Sequence, residues 1–146
     1  MPDTKDQVLP PAVETAIRDS FARQGLMSTM QAQILHVGFG QTVLRMPITD
    51  AVGQQHGFAH AGASFALGDS AAGYAALSTM PEGSEVLTIE MKINLIAPAR
   101  GRFLVARGEV LKAGRRLSVV RATVEAEAAD GSRKPVALLQ GTMIPS

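Results

Sequence analysis

One acid in this chain stands where an acid is costly. Asp69 interrupts the stretch AGASFALGDSAAGYAALS, residues 61–78, with Phe65, Ala66, Ala72 and Gly73 about one turn away. No other charge occurs from Ala61 through Met80, so Asp69 has no charged face to join. A lone carboxylate in apolar surroundings is retained where it has a use, which marks Asp69 as the chief candidate for chemistry. Burial would raise its pKa, and hydrogen bonds to its ionised form would lower it again.

The second candidate precedes it. Gln54-Gln55-His56-Gly57-Phe58-Ala59-His60-Ala61-Gly62 is polar and glycine-bearing at the point where a helix must begin. Free backbone N–H groups at a helix start suit a negative oxygen, such as the oxyanion of acyl transfer. A plain capped loop would carry the same composition. His56 and His60 have the spacing of a helical metal pair, but Gly57 opposes a helix there and His36 is the one other histidine. No metal site is expected. Gly62-x-Ser64-x-Ala66 lacks the closing glycine of a nucleophile elbow, and no strand precedes it, which excludes serine catalysis. With no cysteine there is no disulfide, thiolate metal site or cysteine nucleophile.

These residues need elements to hold them. Pro10 and Pro11 open a helix over residues 12–24, with Val13, Ile17 and Phe21 at helical spacing and Gly25 as its stop. Met30, Ala32 and Ile34 pair with Thr42, Leu44 and Met46 as a hairpin through Gly38-Phe39-Gly40. The Gly38-x-Gly40 pair lacks the third glycine and the following helix of a nucleotide loop. Residues 61–79 form a long small-residue helix whose missing side chains let neighbouring backbone approach. Strands follow over residues 86–95, 103–111, 117–127 and 136–144. In the first, Leu87, Ile89, Met91, Ile93 and Leu95 alternate with polar residues and form one buried face. Short connections make successive strands antiparallel neighbours. The class is α+β: an antiparallel sheet curled around a central helix, with an N-terminal helix.

The 146 residues suit a single domain over 1–146, with residues 1–9 flexible. Fourteen basic and thirteen acidic side chains give a net charge of +1, and tryptophan is absent, so neither a phosphate backbone nor a base stack has a footprint. The N-terminus lacks the apolar stretch of a signal peptide, and no run approaches the roughly 20 residues of a membrane span. A soluble cytoplasmic protein, without nucleic-acid or membrane partners, is the expectation.

His60-Ala61-Gly62, Asp69, Gly73-Tyr74-Ala75-Ala76, the strand 88–94 with Pro98-Ala99, Gly114-Arg115-Arg116-Leu117 and Gln140-Gly141-Thr142 together resemble the PaaI-like branch of hotdog-fold acyl-CoA thioesterases. The likeness covers about residues 50–145. It implies hydrolysis of an acyl-CoA thioester without a cofactor, in a homodimer or dimer of dimers. It implies that Asp69 is general base or nucleophile, that the Ala61 N–H meets the oxyanion, and that Gln54 and Thr88 assist with carbonyl or water. His60 would orient the loop, and Gly62 would border the substrate. Ala61 stands where the family has the first glycine of a pair, so the position must not require positive φ. Gln54 stands where relatives carry asparagine. Arg100, Lys112, Arg115 and Arg116, near strand turns, could meet the phosphates of CoA or simply be solvated.

One inference is independent of the resemblance. His60 and Asp69, nine residues apart on one helix, lie roughly 13 Å apart along its axis and on opposite sides. If both serve one reaction, two chains must supply them. A non-catalytic acyl-CoA-binding module is the alternative reading. A hotdog dehydratase needs a histidine–acid pair that the chain does not offer.

Overall fold

The computed structural model describes residues 6–146, so the expectation of a flexible segment falls in part, at residues 1–5, outside the described residues. Leu9 packs on the cluster formed by Val13, Ile17, Val37, Tyr74 and Leu77. The elements run α1 (Pro11–Ala22), α2 (Gly25–Thr29), β1 (Gln33–Gly38), β2 (Gln41–Pro47), α3 (Ala61–Leu77), β3 (Val86–Leu95), β4 (Phe103–Ala113), β5 (Ser118–Glu127) and β6 (Arg133–Pro145). All six strands form one antiparallel sheet in the order β1-β2-β4-β5-β6-β3. The fold is α+β, and the sheet curls around α3 as the hotdog expectation requires.

Because α3 is small and apolar on most sides, the sheet can enclose it. Ala63, Ser64, Leu67, Gly68 and every residue from Ala71 to Leu77 are buried. Ala61, Gly62, Phe65, Ala66, Asp69 and Ser70 form the stripe that the sheet leaves uncovered. The closest backbone approach comes from a strand glycine rather than from the three inside the helix. A Cβ on Gly108 of β4 would collide with the carbonyl oxygen of Ala71, whereas Gly68 faces the Leu139 side chain and Gly73 has room.

Strand β3 departs from its simple alternation. A bulge between Thr88 and Glu90 leaves Ile89 without a partner on β6 and shifts the inward phase by one residue. Val86 and Thr88 face α3 before the bulge, and Met91 and Ile93 pack on the core after it. Leu87 and Ile89 are therefore 54% and 55% exposed rather than buried, while Leu95, in phase with Met91 and Ile93, is 57% exposed at the end of the strand. Their strand is an edge of the sheet.

The expected neighbour of β3 is also different: it pairs with β6, not with β4. The seven residues from 96 to 102 can span up to about 24 Å. Three strand spacings require only about 14 Å, so a short link crosses β5 and β6 at the end of the curled sheet. At the N-terminus, Gly25 opens α2 instead of merely stopping α1, because Gln24 is extended and starts a new turn. Met30 caps α2 and lies outside the hairpin.

Candidate active site

Asp69 sits mid-helix on the uncovered stripe of α3, partly buried. Its Oδ1 accepts a hydrogen bond from the Thr88 hydroxyl at 2.7 Å, and that hydroxyl also lies 3.0 Å from Met143 Sδ. The bulge makes this contact possible. In the phase of Met91 and Ile93, Thr88 would point away from α3. Burial raises the Asp69 pKa above 3.8, and the Thr88 hydrogen bond opposes that rise without cancelling it. A carboxylate whose pKa is raised is, in its ionised form, a stronger base.

Asp69 and Thr88 border a cavity of about 180 Å³ shared with Ser20, Gln24, Ser70, Gly73, Tyr74 and Glu85. Gln24 Nε2 donates to the Tyr74 hydroxyl at 2.8 Å, and Ser20 Oγ lies 3.1 Å from the same oxygen. This polar wall was not foreseen from sequence. Ser20 on α1 and Gln24 at the start of α2 are some fifty residues from Tyr74, and nothing local to either segment announces the contact.

The start of α3 is built differently. His60 is its N-cap, and His60 Nδ1 accepts the Gly62 N–H at 2.8 Å. The Ala63 N–H goes to the His60 carbonyl at 2.9 Å. That leaves the Ala61 N–H without an acceptor among the described residues. Ala61 is helical and does not have positive φ, so alanine is compatible with this position. An Nδ1 that accepts a hydrogen bond is unprotonated, which gives His60 the role of holding the helix entry.

Ala61 opens onto a second cavity, about 340 Å³, walled by Phe58, Ala59, Ser64, Leu95, Ile96, Ala97, Pro98, Ala99 and Val136. The Arg100 guanidinium stands 5.0 Å from the Phe58 ring centroid at this end of the molecule. Gln54 folds onto its own loop, its side-chain oxygen accepting the His56 N–H, and it borders neither cavity. Of the aromatics nearby, Phe58 borders this cavity, while Tyr74 is core with its hydroxyl satisfied.

The predicted residues thus gather in two places within one chain. Asp69 and Thr88 share one cavity; Ala61, with His60 and Gly62 as its scaffold, faces another. Arg100 belongs to the Ala61 end. Arg115 and Arg116 lie on the β4–β5 turn, next to the row Ser118–Met143–Thr88 at the Asp69 end. Among the described residues no cluster of three or more metal-ligating side chains occurs, and no helix is long and apolar enough to cross a membrane.

Residues 56–130 match the family model of the thioesterase superfamily. The chain is 28% identical over 105 residues to a 1,4-dihydroxy-2-naphthoyl-CoA hydrolase of Listeria monocytogenes, covering 70% of this chain and 85% of that protein. Its structure is similar to that of a thioesterase family protein from Silicibacter pomeroyi, with TM-score 0.88, 44% identity, and coverage of 91% and 97% of the two chains. It also shares its fold with the Escherichia coli PaaI protein, at TM-score 0.82 and 21% identity over 94% of this chain and 96% of that one.

Proposed function

The chain belongs to the thioesterase superfamily, and on that premise we propose that it hydrolyses an acyl-CoA thioester with Asp69 as general base at a site shared by two chains. The observation that carries this is the partly buried Asp69 with its pKa raised and one oxygen held by Thr88. Asp69 Oδ2 is then left to take a proton from water. The water oxygen attacks the thioester carbonyl carbon, and the carbonyl oxygen becomes an oxyanion on the Ala61 N–H. Collapse of that intermediate breaks the C–S bond, and the CoA thiolate leaves and takes up the proton. One relative is named for hydrolysing an aryl-CoA, which favours CoA as the carrier.

The edge strand supports the shared site. Helix α3 runs opposite to β3, with Ala61 at the Leu95 end and Asp69 at the Thr88 end. Two β3 edges paired antiparallel would set the Ala61 end of one chain beside the Asp69 end of its partner. They would also cover Leu87, Ile89 and Leu95 and satisfy a free edge. Arg115 and Arg116 of one chain would then flank Arg100 of the other around the CoA phosphates. The Gln54 amide, if it acts, would do so from the Ala61 side.

The experiment is thiol release from short, long and aromatic acyl-CoAs, with Asp69→Asn alongside. Hydrolysis of at least one of them that depends on Asp69 is expected. Binding of acyl-CoA without thiol release would instead establish a binding module.

A further inference from the structure

Asp69 Oδ2 can accept one hydrogen of an attacking water, but a water has two. The cavity beside Asp69 measures about 180 Å³, below the roughly 300–1,000 Å³ of small-molecule pockets. Its lining includes the hydroxyls of Ser20, Ser70, Tyr74 and Thr88, the Gln24 carboxamide and the Glu85 carboxylate. Such a space suits a few waters better than an acyl group. Thr88 is committed to Asp69, and Ser20 and Tyr74 to each other. Ser70, the residue next to Asp69 on α3, is the hydroxyl that remains.

The direction of the Ser70 hydroxyl is set from behind. Gln24, the N-cap residue of α2, donates from Nε2 to the Tyr74 hydroxyl at 2.8 Å. With its nitrogen anchored there, Gln24 turns Oε1 to Ser70, whose hydroxyl donates to it across 3.5 Å. This contact is longer than the roughly 2.7–2.8 Å of a typical O–H···O bond, so it adds little to holding the segment on α3. It does fix direction. An amide oxygen can only accept, so the Ser70 hydrogen points to Gln24 and the lone pairs of Oγ are left for a donor in the cavity.

We infer that Ser70 accepts the second O–H of the water that Asp69 deprotonates, and that Gln24 holds Ser70 in this accepting orientation. With one hydrogen on Asp69 Oδ2 and the other on Ser70 Oγ, the water keeps an oxygen lone pair for the thioester carbon. As the C–O bond forms, only the hydrogen on Asp69 is transferred, and that proton later goes to the CoA thiolate. The hydrogen on Ser70 stays with the attacking oxygen and leaves with the acid product. Ser70 touches the nucleophile and is catalytic; Gln24 acts through it and is a positioning residue. The inference rests on the thioesterase reading with Asp69 as base and deepens it.

The test measures kcat, KM and the partition between hydrolysis and methanolysis, read as the ratio of methyl ester to acid in aqueous methanol. Methanol has one O–H, which Asp69 takes, so it gains nothing from Ser70. Ser70→Ala should lower kcat by up to about tenfold, the worth of one hydrogen bond, with KM little changed. Alanine suits a helix, so the fold should persist. Gln24→Leu, which leaves the Ser70 hydroxyl in place but frees its hydrogen, should also lower kcat. In both variants the ester-to-acid ratio should rise by about the factor lost in hydrolysis. Gln24→Glu, which keeps an oxygen facing Ser70, should recover most of the change, a rescue that a purely structural role would not give. Where none of the enzymes forms ester, the kcat values decide in the same order. An active wild type whose Ser70→Ala and Gln24→Leu variants keep its kcat and partition overturns the inference and leaves the thioesterase reading intact. A Gln24→Glu enzyme as impaired as Gln24→Leu overturns the role of Gln24. A wild-type protein that releases thiol from no acyl-CoA overturns both readings together.

Discussion

The Thr88 hydroxyl donates to Asp69 Oδ1 across 2.7 Å, tying the edge strand of the sheet to the middle of the central helix. This bond joins residues nineteen positions apart and depends on the bulge that turns Thr88 inward. It also leaves one oxygen of a raised-pKa carboxylate free beside a small polar cavity. The functional proposal stands or falls on that carboxylate.

Asp69→Asn should retain the fold and lose about 10²–10⁴-fold in turnover, the range for a removed general base. The amide oxygen can still accept the Thr88 hydroxyl. The folding sign is opposite to the catalytic one. Because the Asp69 pKa is raised in the fold, the native state binds more protons than the unfolded state between 3.8 and that higher value. Stability attributable to Asp69 therefore falls as pH rises through this window. Asp69→Asn removes the penalty, so its melting temperature at pH 7 should equal or exceed that of wild type. A folded Asp69→Asn protein with near-wild-type turnover rules out Asp69 as the base.

Thr88→Val should shift the pH profile rather than abolish activity. The Thr88 hydrogen bond holds the Asp69 pKa down, so its removal raises that pKa further. The acid limb of kcat/KM, which requires ionised Asp69, should move to higher pH. Thr88→Ser, which keeps the hydroxyl, should leave the limb near its wild-type position. An unmoved limb in Thr88→Val would mean that the limb belongs to another group.

Much of this arrangement is legible in the sequence, for physical reasons that also mark where legibility ends. The central helix is evident because a long alanine-rich run punctuated by one charge has few other uses. Asp69 stands out by contrast with its neighbours, and the polar, glycine-bearing stretch from Gln54 to Gly62 stands out as a helix start, although the capping bond of His60 does not. The bulge at Ile89 is invisible, since hydrophobic alternation in β3 looks unbroken while the backbone slips phase. The pairing of β3 with β6 is equally hidden, because link length bounds a crossover without choosing it. The wall of Ser20, Gln24 and Tyr74 and the open cavity at Ser64 arise from contacts between distant segments.

Ala61 separates backbone from side-chain function. Ala61→Gly should remain active, since the N–H persists and the helix tolerates glycine at its first position. Ala61→Pro should lose activity through the missing donor while the helix start still forms, because proline suits the first turn. Circular dichroism and thiol release measured together decide it. A folded, active Ala61→Pro enzyme would place the oxyanion contact elsewhere.

The shared site makes the most demanding prediction. Ala61 and Asp69 face separate cavities at opposite ends of β3 in one chain, so each chain is expected to hold half of two sites. Asp69→Ala and Ala61→Pro homodimers should each be inactive, because both of their sites lack one half. A mixed dimer gathers both lesions into one site and leaves the other with an intact Asp69 and an intact helix start. Co-expression of two differently tagged variants, followed by tandem purification, should recover up to about half of the wild-type activity per dimer, since one of two equivalent sites is whole. Two tagged Asp69→Ala chains, treated in the same way, should recover none. Chains that demonstrably exchange yet yield inactive mixed dimers would confine Asp69 to partners on its own chain, with the 180 Å³ cavity beside Gln24 and Tyr74 as the place to seek them.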